Sequence, residues 1–469
     1  MLRKLRIRNF KGWRDTGVIR MAPITLFFGT NSSGKSSIGQ FLMMLRQTVD
    51  SQDRKAVFYP GDRNSAVQIG SFQEMVYRRD RTKEISFEYT WNFTDQMKIK
   101  DHISGRTFSG DNLTFSARVG MGDDDQHTLI LKELEYQLIH DTDISFSIRM
   151  ERRKPGKSEY EVKPEKYLLI RKPGRAWSPG APVRFYGFPD EVVAYHQNGD
   201  FVQTLNLRHE KLFRSLYYLG PLRTKTERLY SWTGIEPDGV GYSGENTVAA
   251  LLAAKNRKIN LGVKRKLKKF EVLIAEKLKE MGLIEGFKVN AISQQRHEFE
   301  VKIRTKGSRD SVDLPDVGFG ISQVLPVIVE CFYVPAGSII IMEQPEIHLH
   351  PSAQAALADV MIDVINAREN GLNRNIQLII ETHSEHFLRR LQRRIAENKI
   401  DKDKIAAYFA DITSFPATLE PLEVDSFGNI LNWPKDFFGD ELGDITAQAE
   451  AAMLKKIELT KNQQESDND

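Results

Sequence analysis

The chain opens on alternation: Leu5, Ile7 and Phe10 are separated by polar and basic residues, the period-two pattern of a strand with one buried face. ITLFF at 24–28 is an unbroken apolar run, as suits a strand covered on both faces. A Gly-rich loop then gives way to apolar residues at helical spacing in IGQFLMML at 38–45. From about 84 to 215 the pattern changes to short alternating runs: ISFEYTW from Ile85, LTFSARV from Leu113, ISFSI from Ile144 and YLLI from Tyr167. Gly, Asp and Pro clusters part them, which predicts antiparallel strands in a β-rich insertion. Around YYLGPLR at 217–223 the composition returns to that of a packed core. Val263, Leu267, Phe270, Ile274, Leu278 and Met281 fall on one face of a helix predicted over 263–281. Short buried strands at 338–342 and 376–380 flank a helix predicted over 352–367, a β-α-β unit that calls for a parallel sheet.

Composition narrows this picture only a little. The 469 residues allow one large domain or two to three ordinary ones, and 40% hydrophobic with 28% charged residues is ordinary for a globular chain. A net charge of +4 from 67 basic and 63 acidic residues does not by itself point to nucleic acid. The one cysteine, Cys331, leaves no internal disulfide and fits a reducing cytoplasm. The charged N-terminus lacks the pattern of a signal peptide, and no apolar run approaches 18 residues, so a cytoplasmic chain with no membrane span is expected. No internal repeat or long heptad run is present.

Candidate chemistry begins at 29–37. GTNSSGKSS satisfies G-x-x-x-x-G-K-[ST] and stands between a predicted strand and a predicted helix. Glycines let successive N–H groups turn toward phosphate, Lys35 adds a cation, and the Ser36 hydroxyl is placed for Mg²⁺. The candidate nucleotide-binding residues are therefore Gly29, Asn31, Ser32, Ser33, Gly34, Lys35, Ser36 and Ser37. Downstream, SIIIMEQPE at 338–346 puts Glu343 at a strand tip, where a carboxylate can hold Mg²⁺ through water. IIETHSE at 379–385 ends another buried strand near His383, whose imidazole can meet a γ-phosphate without being charged. A third segment, DVGFGISQ at 316–323, precedes an apolar helix and makes a second anion site from Gly320, Ser322 and a helix N-terminus. Two phosphate-binding helix ends far apart in sequence suggest that the second serves another subunit.

These segments resemble the SMC, RecF and OLD-like group of ABC-type ATPases. LRIRNFKG from Leu5, followed by the phosphate loop, is similar to the start of that group. GFGISQ is similar to the ABC signature, EQPEIHLHP at 343–351 to the Walker B and D-loop of the OLD-like branch, and THS at 382–384 to its His switch. DSFGNILNWPKDFF at 425–438 is similar to the tail of a poorly characterised bacterial branch without a TOPRIM nuclease. The resemblance covers about 1–80 and 216–440. It implies an α/β fold: an ABC-type P-loop NTPase with a mixed or parallel core sheet, the β-rich insertion and a helical signature lobe. The matching division is 1–83 and 336–410 for the ATPase core, 84–215 for the insertion, 216–335 for the helical lobe and 411–469 for a C-terminal region. It also implies ATP and Mg²⁺ as cofactors, and head-to-tail homodimers with ATP between Lys35 of one copy and Ser322 of the other.

One position departs from the group. The glutamate that usually polarises the attacking water is replaced by Gln344, which orients water but accepts no proton, so slow hydrolysis is expected. Three accounts stand: a branch that naturally uses glutamine, with Glu346 or His383 assisting; a clamp that hardly turns over; or a glutamine introduced to trap ATP. The Q-loop residue is either Gln68 or Gln73. His348, His350, His383 and His386 lack the spacing of a zinc site. Of the basic runs at 152–154, 264–269 and 389–394, the second (Lys264, Arg265, Lys266, Lys268, Lys269) is the best candidate for DNA or an acidic protein. No Asp-x-Asp follows an apolar strand after His383, so no nuclease is expected in this chain. The leading expectation is an ATPase that senses a trigger and controls a separate effector, a nuclease, in bacterial anti-phage defence, similar in length and layout to the ATPase subunit of the PARIS system. The alternatives are a RecF-like DNA-repair ATPase that binds DNA directly, and a scaffold whose ATP is structural.

Overall fold

The computed structural model describes residues 1–122, 128–153, 160–174, 178–293, 297–412, 416–434, 437, 443 and 446–456. Asp123, Asp124 and Asp125, Lys154 of one basic run, Phe438 and the polar end of the chain lie outside the described residues.

Six strands form the sheet that positions the site: β1 (Ile24–Gly29), β2 (Leu216–Leu219), β3 (Ile339–Glu343), β4 (Gln377–Glu381), β5 (Ile405–Asp411) and β6 (Thr418–Pro421). Their spatial order is β2-β3-β4-β1-β5-β6. All neighbours are parallel except the last pair, β5 and β6. Four helices accompany it: α1 (Lys35–Asp50) after β1, α2 (Phe319–Tyr333) before β3, α3 (Pro351–Asn366) between β3 and β4, and α4 (Glu385–Ala396) after β4. The predicted β-α-β unit is thus β3-α3-β4. Covered on both sides, β3 is buried at every position, which is why its sequence reads as continuous apolar residues rather than alternation. Gly39 lets α1 lie close on this sheet; a Cβ there would stand 3.0 Å from the Ile341 side chain.

The runs at 85, 113 and 144 are strands, joined by Leu129–His140 and Tyr160–Glu165 in an antiparallel sheet of eight strands. That sheet crosses the boundary drawn at 83: its strand Ile85–Lys100 pairs with Leu2–Phe10, Ile7 opposite Phe87. The YLLI run is not a strand; Leu168 in it is 71% exposed. The part of 84–215 nearest β2 is helical, Asp190–Tyr195 and Phe201–Arg214.

His209 of the latter helix is fully buried among aromatic rings, stacked on Tyr186. Tyr89 meets its Nε2 at 2.9 Å and Tyr136 its Nδ1 at 2.8 Å, while the Tyr136 hydroxyl also donates to the Tyr186 carbonyl. With that donation made, the neutral ring donates from Nδ1 and accepts at Nε2. Burial drives its pKa well below the ordinary 6.5. A depressed histidine pKa stabilises the fold above the unfolded value and loses that contribution as pH falls, because only the unfolded chain takes up the proton. Between pH 6.5 and 5.5 the wild type should lose about 1 kcal/mol relative to His209→Gln. Urea unfolding of both proteins at the two pH values measures this, and parallel curves would remove His209 from the account.

The helix predicted over 263–281 is shorter, Phe270–Glu280. Gly262 at φ +130° and Lys264 at φ 61° stop it from starting earlier. Val263 and Leu267 are 70% and 56% exposed, so their helical spacing was coincidental. The basic run at 264–269 is therefore a loop and a short strand, not a helix face. Lys268 in it pairs with Glu276.

Candidate functional site

Register brings the site together. Glu343 stands opposite Glu381, Glu381 opposite Phe27, and Gly29 opposite Ala410, so the tips of β3, β4, β1 and β5 share one edge. Gly29 has φ +137°, and a Cβ there would reach 2.3 Å from the Ala410 carbonyl oxygen; only glycine fits. Gly34, at φ +89°, caps α1 without a side chain, and the first turn holds no acidic residue. Ser37 N–H turns back to Gly34 O at 3.1 Å, and the N–H groups ahead of it in this sixteen-residue helix are left for an anion. Trp13 supports the turn from beneath, its Nε1 donating to the Gly34 carbonyl at 3.2 Å and to Ser37 Oγ at 2.9 Å.

Lys35 is the first residue of α1 and is buried. Its ammonium donates to Gly29 O at 3.0 Å, Thr30 O at 2.6 Å and Ser33 Oγ at 3.3 Å. Burial lowers its pKa, against the attraction of Glu381. Asn31 and Ser32 are exposed at the loop tip, Ser32 at φ 63°, and Ser33 is buried. The next two serines diverge. Ser36 hydrogen-bonds Glu381, whereas Ser37 turns inward to Gly34 and Trp13.

Glu343 is buried and accepts from the Tyr218 hydroxyl at 2.8 Å. Desolvation raises its pKa to about 7, and nearby Glu381 adds to the rise. Glu381 is raised for the same first reason, and its Oε2 is buried with no hydrogen-bond partner. Lys11 and Arg223 are also close enough to stabilise the charge on Glu343. Two neighbouring carboxylates, a serine hydroxyl on one of them and an unused buried oxygen fit a divalent cation. Ser36, Glu343 and Glu381 would hold Mg²⁺ here, and the ion would neutralise phosphate charge.

Glu346 has a different environment. Its Oε1 accepts from Thr382 Oγ1 at 2.6 Å and from the His383 N–H at 2.9 Å, so it clamps the turn carrying His383. Burial raises its pKa, and Oε2 has no partner. The His383 ring has its pKa lowered, first by partial loss of solvent and then by Lys35, which keeps it neutral at pH 7. Gln344 sits at φ 47° with its N–H bonded to Glu381 O at 2.8 Å. It lines an open cleft of about 320 Å³ with Glu346, His348, Gln354 and His383.

Gly320 and Ser322, read from the sequence as a signature, begin α2 beside the turn after β3. A Cβ on Gly320 would be 3.1 Å from the His348 carbonyl, and the Phe319 ring meets the His348 ring edge-on. Ser322 is half-buried and donates to Phe319 O at 2.8 Å. Among the described residues, neither Gly320 nor Ser322 hydrogen-bonds to the phosphate loop. The α2 end opposite is fixed by fully buried Arg374, which donates to the Cys331 and Val334 carbonyls. Gln68 donates to Asp62 O, and Gln73 accepts from Arg81; both bonds are local.

Glu381, Tyr218, Lys11 and Arg223 were not singled out in the sequence. Glu381 had a signal, an acid at a strand end just before THS. The other three had none beyond lying in segments read as strand or core.

A family model described as "AAA domain, putative AbiEii toxin, Type IV TA system" matches residues 24–389, and one described as "Protein of unknown function (DUF3696)" matches 400–448. No curated protein sequence matches the chain. Among solved structures, it is similar to the SMC head domain from Thermotoga maritima at a TM-score of 0.40 and 11% identity, over 90% of this chain and 99% of that one. An SmcHead bound to the C-winged helix domain of ScpA gives a TM-score of 0.40 and 10% identity over 91% and 98%. A Pyrococcus furiosus Smc head with an extended coiled coil, bound to the C-terminal domain of ScpA, gives 0.41 and 10% over 90% and 96%.

Proposed function

This chain belongs to the AAA_21 family of AAA-domain ATPases, and from that premise we propose that it is a slow, ATP-gated switch controlling a separate effector. One observation carries the reading: an uncapped helix N-terminus, the Lys35 ammonium, buried Glu343 and half-buried Glu381 meet at one edge of parallel strands. ATP·Mg²⁺ satisfies all three. The α1 N–H groups and Lys35 bind its phosphates, while Ser36, Glu343 and Glu381 bind the metal. His383, held by Glu346, reaches the terminal phosphate as a neutral donor, and Gln344 orients water. Glu346 is then a positioning residue. Ser322 and Gly320, which among the described residues make no hydrogen bond to the phosphate loop of their own chain, complete the site of a second copy placed head to tail.

In this reading the assembled dimer docks an effector, a nuclease, and changes it when the ATP sandwich changes state, as in bacterial anti-phage defence of the PARIS kind. The test is ATP turnover by the purified chain with and without DNA, and with any co-purifying protein. Slow turnover that shifts with the partner supports the switch. DNA-stimulated turnover without a partner would favour direct DNA repair.

Gln344 allows a sharper check. Glutamate at its place would supply the missing base, so Gln344→Glu should raise turnover toward the about 10²-fold that a positioned general base contributes. The ATP-bound state would shorten accordingly. Slower single-turnover hydrolysis in that variant would mean a site built around glutamine.

A further inference from the structure

The sequence after β2 carries an arginine that the reading above does not use. Arg223 follows the strand tip by four residues, and all three guanidinium nitrogens are buried without a hydrogen-bond partner. Its position is not loose. Gly220 N–H bonds to Tyr242 O at 2.9 Å on one side, and Thr224 N–H to Ser243 O at 2.8 Å on the other. The Thr224 and Ser243 hydroxyls add a bond of 2.5 Å. A short, pinned segment therefore holds a cation out of water with its donors unused. Such a group is costly to bury, and each unmet donor adds to that cost.

The neighbouring carboxylate does not resolve the imbalance. Glu343 interacts electrostatically with Arg223, but it is held through Oε1 by Tyr218, and no Arg223–Glu343 hydrogen bond forms. Loss of solvent lowers the Arg223 pKa to about 10, so it stays charged at neutral pH. A guanidinium presents a planar fork of donors that matches two oxygens of one phosphoryl group. Arg223 follows the tip of β2, which ends with Leu219 opposite Met342, so the fork leaves the sheet at the edge shared by Gly29, Glu343 and Glu381.

We propose that Arg223 is a ligand for the terminal phosphate of the nucleotide held by the same chain, and that it separates ATP from ADP. This rests on the nucleotide site proposed above and adds to it the residue that reads the third phosphate. The next residues, Thr224 and Lys225, line with Ser322 a cavity of about 360 Å³. Drawing Arg223 onto phosphate would therefore pull on the segment beside the signature serine. A signal of nucleotide state reaches the surface where the second copy sits.

Calorimetry with Mg²⁺ on the full chain tests this, using ADP and the non-hydrolysable analogue adenylyl imidodiphosphate. Arg223→Gln should weaken the triphosphate analogue roughly 10- to 100-fold, the range for hydrogen bonds to charged groups, and leave ADP within about twofold. Arg223→Lys, which keeps the charge without the fork, should fall between. Nucleotide-free Arg223→Met should melt at or above the wild-type temperature, since an uncompensated buried charge is gone; a merely structural arginine would give a lower melting temperature. Equal weakening of both nucleotides, or none, overturns the proposal. If the wild type binds neither nucleotide, or Lys35→Ala binds both unchanged, the nucleotide site itself is wrong and Arg223 falls with it. Normal behaviour of those two controls isolates a failure to Arg223.

Discussion

Lys35→Ala should lose ATP binding and turnover by about 100-fold or more, the loss expected when a preorganised donor to developing phosphate charge is removed. Its melting temperature should fall little. The ammonium is buried and its partners are loop oxygens, Gly29 O, Thr30 O and Ser33 Oγ, which water can reach once the side chain is cut back. The helix behind it is secured elsewhere: Trp13 bonds to Gly34 and Ser37, and α1 is buried along Ile38, Phe41, Leu42 and Leu45. Nucleotide titration by calorimetry and a thermal melt separate the two effects. Wild-type affinity in the variant would sink the assignment of this loop. A collapse of the melt would show that Lys35 is structural.

The second large effect should come from mixing two dead variants. Lys35→Ala damages the phosphate loop, and Ser322→Arg places a bulky cation on the signature. Ser322 is half-buried, lines an open cavity and donates to the Phe319 carbonyl within its own turn, so the substitution enters that space rather than the α2 core. Each variant alone should be nearly inactive. In a mixed head-to-tail dimer one composite site carries both lesions and the other carries neither. Random exchange at equal amounts then restores about one quarter of wild-type turnover, from half the dimers with one good site each. Native mass spectrometry confirms the mixed species. If the mixture is as inactive as its parts while mixed dimers are present, Ser322 does not act on a partner's nucleotide.

What was legible in the sequence is what a few consecutive residues determine. The phosphate loop is nine residues whose backbone must curl, and glycine at 29 and 34 is required because the φ angles there are positive and neighbours stand close. The buried strands β3 and β4 showed as apolar runs because both faces are covered. Even the helix over 352–367 was placed within a residue of Pro351–Asn366, since Pro351 suits a first turn and His350 caps it. The helix drawn from 263 failed for a related reason. Apolar spacing extended backward by chance across Gly262 and Lys264, and backbone angles, not spacing, decided the start.

Tertiary structure alone decided who stands beside whom. Tyr218 and Glu343 are 125 positions apart, and they meet because β2 lies parallel to β3 with Leu219 opposite Met342. Glu381 reaches Ser36 because β4, not β3, is the neighbour of β1, and strand order is not written in either strand. Glu346, read from the sequence as assisting the chemistry, accepts from Thr382 and the His383 N–H because the turn after β3 meets the end of β4. The strand Leu2–Phe10 joined the sheet of 85–165 in the same way. A local conformation costs a few torsions and is encoded by the residues that adopt it. A contact between distant segments depends on the packing of every element between them, and no single segment contains it.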